Sequence, residues 1–497
     1  MPSSIGVGGA SVAPMASADI GLIGLGVMGS NLVLNMDDHG YTVAVFNRTV
    51  DKVDRFVAEE GAGRRIVGAH SLEELVQALK RPRIVMVMIR AGAPVDAQIE
   101  ALEPLLEPGD IIIDGGNSLY TDTIRRTRDL EAKGLRFVGM GISGGEEGAR
   151  HGPSIMPGGS NEAWPHIEHL FKDIAAKADD GSPCCEWLGP DGAGHYVKMV
   201  HNGIEYGDMQ VIAEAYDVMC RGLSMSAGEM HPVFAQWGRG TLDSYLIDIT
   251  ADILATEDAD GTPLVDHILD VAGQKGTGRW TVIASMEQAQ PVSLIAEAVY
   301  ARILSALKTQ RTMAAAVLGG PDGTILHDRE QVLLDLHDAL YGSKILSYAQ
   351  GFMLLRAASQ EHGWDLDLGT VASLWRAGCI IRSRFISDIM AAYRNHPDLE
   401  NLLLAPFFAD AVATAAPGWR RTVAHAAVAG LPTPAYASAL AFYDGYRSER
   451  LPANLIQAQR DYFGAHTYER TDRPRGEFFH TDWTGHGGDT TSGSYNA

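Results

Sequence analysis

The feature that most constrains this chain is a glycine turn set between an apolar strand and a helix. Asp19-Ile-Gly-Leu-Ile23 has the pattern of a short strand and runs into Gly24-Leu25-Gly26-Val27-Met28-Gly29, after which Met28, Leu32 and Met36 recur at helical spacing. Glycines there permit a tight turn and let the backbone approach a pyrophosphate at a helix N-terminus. Such spacing is common by itself; a strand before it and a helix after it make it a dinucleotide site. Further apolar runs at 41–46, 66–69, 84–89, 111–113 and 137–138 alternate with helical patterns, and Ser71-Leu-Glu-Glu74 reads as a capping box. This alternation predicts a Rossmann-like, doubly wound α/β domain over residues 19–191.

The end of the second predicted strand discriminates between dinucleotides. An NAD site places an acid there for the ribose 2′-hydroxyl; this chain has Asn47-Arg48-Thr49, with Lys52 one turn on. Nothing acidic would repel a 2′-phosphate, and Arg48 offers a planar fork for one. The alternative is a solvated loop arginine. The glycine turn upstream favours NADP.

After Gly189-Pro190 the strand character stops, and residues 192–448 read as a large all-α domain, followed by a C-terminal tail over 449–497. The first helix of the α domain contains Lys198, His201, Asn202 and Glu205, at i, i+3, i+4 and i+7, hence on one face. Lys198 and Glu205 would lie ~20° apart in azimuth and ~10 Å apart along the axis. Val200, Ile204 and Val211 cluster opposite and would face a core. An ordinary solvated face with i,i+4 pairing would look the same. Beside a cofactor domain, however, the stripe supplies a potential base and a potential acid far enough apart to serve different carbons of one small substrate.

Composition narrows the classes. With 40 Lys+Arg against 62 Asp+Glu the net charge is −22, which argues against nucleic acid or an anionic membrane as partner. The longest apolar runs are far short of a membrane span. Residues 1–18 lack the charged start and apolar core of a signal peptide and read as a flexible extension. Cys184, Cys185, Cys220 and Cys379 form neither a metal spacing nor a disulfide framework. A reduced, cytoplasmic setting and no metal site are expected.

From about Asp19 to the C-terminus the chain resembles the decarboxylating, NADP-dependent 6-phosphogluconate dehydrogenase family. The resemblance rests on residues 24–31, Asn47-Arg48-Thr49, Asp114-Gly-Gly-Asn117-Ser118, residues 141–149, Lys198 to Tyr206, Lys275-Gly-Thr277-Gly, Ala301-Arg302 and residues 451–466. It implies conversion of 6-phospho-D-gluconate and NADP⁺ to ribulose 5-phosphate, CO₂ and NADPH, in the pentose phosphate pathway. It further implies that Lys198 takes the C3 hydroxyl proton and that Glu205 protonates C1 of the resulting enediol. Lys198 must then be neutral and Glu205 protonated, states that a dry pocket favours.

By the same resemblance Asn117, Ser143, Gly144, Gly145, His201 and Asn202 grip the sugar acid, with Asn117 also touching the cofactor. Tyr206, Lys275, Thr277 and Arg302 take the phosphate, and Arg460 and His466 come from a second subunit's tail, making a homodimer with a shared site. Gly26 stands where the family often has alanine, Arg90 and Arg279 where it has lysine. A faint echo of Trp237-Gly-Arg-Gly…Ser244-Tyr-Leu-Ile-Asp248 in Trp375-Arg-Ala-Gly…Ser383-Arg-Phe-Ile-Ser-Asp388 matches the duplicated helical domain of the family. The rival readings are a non-decarboxylating β-hydroxyacid dehydrogenase and a catalytically inactive NADP-binding scaffold.

Overall fold

The computed structural model describes residues 17–486, and the chain divides into two compact units, Met1–Ala437 and Ser438–Ala497; of the predicted extension, residues 1–16 lie outside the described residues. The first unit opens with a seven-stranded sheet formed by β1 (Ile20–Ile23), β2 (Val43–Phe46), β3 (Ile66–Gly68), β4 (Ile84–Val87), β5 (Ile111–Asp114), β6 (Arg136–Ser143) and β7 (Ser154–Gly159). The order is β3-β2-β1-β4-β5-β6-β7. The first six strands pair in parallel, and β7 pairs antiparallel to β6. The interleaved helices are α1 (Val27–Asp38), α2 (Val50–Ala58), α3 (Leu72–Gln77), α4 (Ala93–Leu102), α5 (Tyr120–Glu131), α6 (Gly145–His151) and α7 (Trp164–Ile174).

Period-two alternation explains why the sheet is buried on both faces. Ile20, Leu22, Ile84, Met86, Ile111 and Ile113 enter one apolar core with side chains of α1, α2, α6 and α7. Ile23, Val85, Val87 and Ile112 enter the other with those of α3, α4 and α5. The strand order reverses between β1 and β4, where a doubly wound sheet places its ligand. Around the glycine turn, two glycines are fixed by packing. A Cβ on Gly24, whose φ is +107°, would lie 2.5 Å from the Met88 carbonyl oxygen, and one on Gly29 only 2.0 Å from that of Gly24. Gly26 has open space instead, so the family's alanine would fit there.

Two local expectations are modified. Ser71 Oγ accepts the Glu74 N–H, but the Glu74 carboxylate accepts from His70 N–H, one residue upstream of the expected cap. Segment 154–159 carries no strand signal yet forms β7. Its Pro157 is tolerated because β7 is an edge strand.

The rest of the first unit is helical: α8 (Ala193–Asp217), α9 (Ala227–Trp237), α10 (Tyr245–Ala255), α11 (Thr277–Glu287), α12 (Ser293–Ala306), α13 (Lys308–Val317), α14 (Arg329–His362), α15 (Leu368–Leu374), α16 (Ile386–Asn395) and α17 (Pro406–Ala429), and the boundary between the units falls within α18 (Pro434–Tyr446). The two echoing segments meet in space. Ser244 and Ser383 form an antiparallel bridge, with Tyr245 N–H donating to Arg382 O at 3.2 Å and Arg384 N–H to Asp243 O at 3.0 Å.

The second unit contains α19 (Ala453–Gly464) and a hairpin of β8 (Tyr468–Glu469) and β9 (Phe478–Phe479). Its hub is the buried carboxylate of Asp461, which accepts from Thr467 N–H (2.9 Å), His480 Nδ1 (2.9 Å), Thr481 N–H (3.0 Å) and Trp483 Nε1 (2.8 Å).

Candidate active site

At the β1/β4 switch lies a cleft of about 830 Å³. The glycine turn contributes Gly26, Val27, Met28 and Gly29, the loop after β4 contributes residues 88–92, and the loop after β5 contributes Gly115, Gly116 and Asn117. Lys275 and Trp280 close it from the helical part. No side chain caps the start of α1 at Gly26, so its first backbone N–H groups are free for an anion. Asn47 Oδ1 accepts the Leu25 N–H at 3.2 Å and ties the turn to the end of β2, whose preceding residue, Phe46, accepts the Gly24 N–H. Arg48 and Thr49 are exposed just beyond, Lys52 half-exposed. An uncapped helix start, an open Cβ position at Gly26 and two cations at the β2 end together fit a phosphorylated dinucleotide. The cleft also uses Arg90, Gly92 and Trp280, to which motif reading gave no role; only Arg90 was marked, as a position where the family has lysine.

The polar stripe on α8 is interior rather than solvated. Lys198 is 6% exposed and His201 wholly buried, and the opposite face of Val200, Ile204 and Val211 is buried too. Close backbone approach makes this possible: a Cβ on Gly141 in β6 would lie 2.4 Å from Lys198 Cβ. The polar groups satisfy one another in a chain. Ser143 Oγ lies 3.1 Å from His201 Nε2, His201 Nδ1 3.1 Å from Asn202 Oδ1, and Asn202 Nδ2 donates to Thr277 Oγ1 at 2.9 Å. Lys198 Nζ sits 3.5 Å from His201 Nδ1.

Electrostatics follow from the burial. Desolvation pushes the Lys198 ammonium down to about 8, against the pull of Glu205 and Cys379. Desolvation, reinforced by Lys198, holds His201 well below the ordinary imidazole range, so it is a neutral hydrogen-bonding group. Burial raises the Glu205 carboxyl, opposed by Lys198, Arg302 and Lys275. Its side chain stays 22% exposed, with Oε2 3.9 Å from His201 Nδ1. A depressed amine and a raised acid on one helix face are both shifted toward the states that a base and an acid need.

The next turn of α8 gathers the cations. The Arg302 guanidinium stacks 3.6 Å above the Tyr206 ring and donates to Gly273 O at 3.0 Å, tethering the loop that carries Lys275 to the start of α11. Gly276 takes φ +102° and Thr277 opens that helix. Gly144 and Gly145 open α6 immediately after Ser143, and a Cβ on Gly144 would lie 2.6 Å from Gly378 O. Thus Ser143, Lys198, His201, Asn202 and Thr277 form one connected set, and Tyr206 and Arg302 another. Asn117 and Lys275 line the cleft. Arg460, on α19, and His466, just beyond it, belong to the second unit, where Arg460 Nη1 donates to Gln457 Oε1 at 2.9 Å.

A doubly wound dinucleotide domain joined to a helical domain that carries a desolvated lysine defines a nicotinamide-dependent dehydrogenase architecture. Known proteins specify it further. The family model for the NAD binding domain of 6-phosphogluconate dehydrogenase matches residues 19–189, and that for the 6-phosphogluconate dehydrogenase C-terminal domain matches residues 194–483. A Saccharomyces cerevisiae protein named 6-phosphogluconate dehydrogenase, decarboxylating 1, is 59% identical over 489 residues, 97% of this chain and 100% of its own. A Treponema pallidum protein named 6-phosphogluconate dehydrogenase, decarboxylating, is 60% identical over 484 residues, 96% of this chain and 99% of its own. The solved structure of Plasmodium falciparum 6-phosphogluconate dehydrogenase, described in its apo form and in complex with NADP⁺ and with 6-phosphogluconate, superposes with a TM-score of 0.90 at 44% identity, covering 94% of this chain and 100% of that one. The chain belongs to the 6-phosphogluconate dehydrogenase family.

Desolvation of Lys198 has a consequence for stability. Its folded value, about 8, lies below the ordinary lysine value of 10.5, so between the two the unfolded chain binds more protons than the native one. Stability therefore rises with pH across that window, by up to about 1.4 kcal/mol per unit from this residue. In urea unfolding from pH 7 to 10, Lys198→Met is expected to be the more stable protein at pH 7, with its advantage shrinking above pH 8. A constant difference across the range would contradict the desolvated ammonium.

Proposed function

We propose that this protein oxidises and decarboxylates 6-phospho-D-gluconate with NADP⁺, giving D-ribulose 5-phosphate, CO₂ and NADPH. The observation that carries the reading is the buried Lys198, held next to a neutral His201 on the helix beside the cleft. Bound NADP⁺ supplies the hydride acceptor; its 2′-phosphate is assigned to Arg48 and Lys52, its pyrophosphate to the free N–H groups of residues 26–29, and a further contact to Asn117. Lys198, about half of it neutral near pH 8, takes the proton of the C3 hydroxyl as that carbon is oxidised. The β-keto acid then loses CO₂ because the new ketone accepts the electron pair as an enol, and Glu205, whose proton affinity burial raises, delivers a proton to C1. Ser143, Gly144, Gly145, His201, Asn202 and Asn117 hold the carboxylate and hydroxyls. Tyr206, Lys275, Thr277 and Arg302 hold the phosphate, a task that suits stacked and free cations at a helix start.

The assembly belongs to the proposal as well. A homodimer sharing its sites, with Arg460 and His466 of the partner's tail reaching the substrate phosphate, fits two exposed apolar faces. One comprises Ile283, Met286, Tyr300, Ile303, Leu304 and Leu307 on α11 and α12; the other comprises Leu455, Ile456, Tyr462 and Phe463 on α19. A cytoplasmic location is in keeping with four free cysteines, three of them buried. No helix among the described residues is long and apolar enough to cross a membrane.

Supplying 6-phosphogluconate and NADP⁺ and reading NADPH absorbance together with released CO₂ tests the reaction. One CO₂ per NADPH is expected, with Lys198→Met reducing turnover by at least about 10³-fold, the scale of a lost general base, while still binding NADP⁺. NADPH without CO₂ would indicate a simple β-hydroxyacid dehydrogenase, and neither product an inactive scaffold. Subunit exchange tests the shared site. Mixed Lys198→Met and Arg460→Ala homodimers should regain activity, because each heterodimer holds one intact site. Verified exchange without recovery would overturn the sharing.

A further inference from the structure

One buried charge on α5 lies outside the cleft yet bonds to the turns that line it. Arg126 is 2% exposed, so its charge must be answered within the protein. Its Nε donates to Asp96 Oδ1 at 2.8 Å, its Nη2 to the Gly92 carbonyl at 3.1 Å and its Nη1 to Asp114 Oδ2 at 3.2 Å. Asp96 lies in the first turn of α4 and Gly92 is the N-cap of that helix, with φ +87°. Asp114 closes β5 and also receives the Ser118 hydroxyl at 2.6 Å and the Gly116 N–H at 3.0 Å. Gly92 and Gly116 both line the cleft; Arg126 does not. A single guanidinium therefore joins the turn after β4 to the turn after β5. Three directed donors in one plane make these bonds, an arrangement that the point charge of a lysine cannot reproduce.

We propose that Arg126 is a positioning residue for cofactor binding: it sets the spacing of the Gly92 turn and the Gly115–Asn117 turn, and with it the fit of NADP⁺ in the cleft. The inference rests on the cofactor assignment above. The substrate-side groups on α8, α11 and α12 are held by other contacts, namely the Ser143–His201–Asn202–Thr277 chain and the Arg302–Tyr206 stack, and of the proposed substrate contacts only Asn117 lies on the turn that Arg126 sets. Loss of Arg126 should therefore separate the two ligands.

Calorimetric titration of the full-length protein with NADP⁺ and, separately, with 6-phosphogluconate reads this without any turnover, so failure of the proposed reaction and failure of this inference are distinguishable. For Arg126→Lys the Kd for NADP⁺ is expected to rise about tenfold, the scale of one charged hydrogen bond, with the Kd for 6-phosphogluconate rising by less than about threefold, through Asn117 alone. Asp96→Asn, a milder change at a half-exposed partner, should move the NADP⁺ value in the same direction by about threefold, and it decides the question if Arg126→Lys does not fold. In Arg126→Ala, added guanidinium should restore NADP⁺ affinity, whereas methylammonium should not. An unchanged NADP⁺ affinity, or equal losses for both ligands, would overturn the proposal.

Discussion

The site depends on keeping water away from α8. Two lysines in this region are buried, and the structure treats them differently. Lys344, wholly buried on α14, is paired with Asp208 at 2.7 Å. Lys198 has no carboxylate within ion-pairing distance among the described residues, and its Nζ lies 3.5 Å from an imidazole itself held neutral. A buried amine with no counter-ion lowers its proton affinity, and that is the state a base needs. The dryness comes from small residues. Cβ atoms on Gly203, Gly207 and Gly351 would lie 2.7, 2.4 and 2.5 Å from Thr281, Ser347 and Ile204 respectively, so α8 approaches α11 and α14 more closely than larger residues would allow.

Binding must be local, because the chain as a whole repels anions. Against a net charge of −22, Arg48 sits just beyond β2 and Lys52 in the first turn of α2, and Lys275 and Arg302 near the last polar turn of the stripe. Beyond about 8 Å in physiological salt a surface charge is largely screened, so these few cations and the uncapped start of α1 outweigh the distant carboxylates. The acidic surface then disfavours extended polyanions, while small phosphates are captured at short range.

Much of this was legible because it is local in sequence. The glycine turn, the five parallel strands that follow β1 and the i, i+3, i+4, i+7 stripe each need only neighbouring residues to be recognised. What escaped depends on contacts between distant segments. Periodicity gave α8 one polar and one apolar face and left a solvated stripe open; Gly141, Thr277 and Trp375, from three other segments, bury it. β7 carries no signal in its own segment, because Pro157, Gly158 and Gly159 disfavour a strand, and pairing with β6 makes one. Arg126, one of several charged residues on α5, and Asp461, one acid in the tail, carry no signal in their own segments. Their importance lies in partners that the fold brings to them. The roles of Arg460 and His466 rest on family resemblance alone, since nothing in their own segment signals a phosphate.

The most direct test of the account is the protonation of Lys198 itself. In protein labelled with ¹³C at lysine Cε, the signal absent from Lys198→Met identifies the residue, and its chemical shift can be followed with pH in the ligand-free enzyme. The account predicts a midpoint near 8. A midpoint above 10, the ordinary range for a solvated lysine, would contradict it and remove desolvation of α8 as the origin of the base.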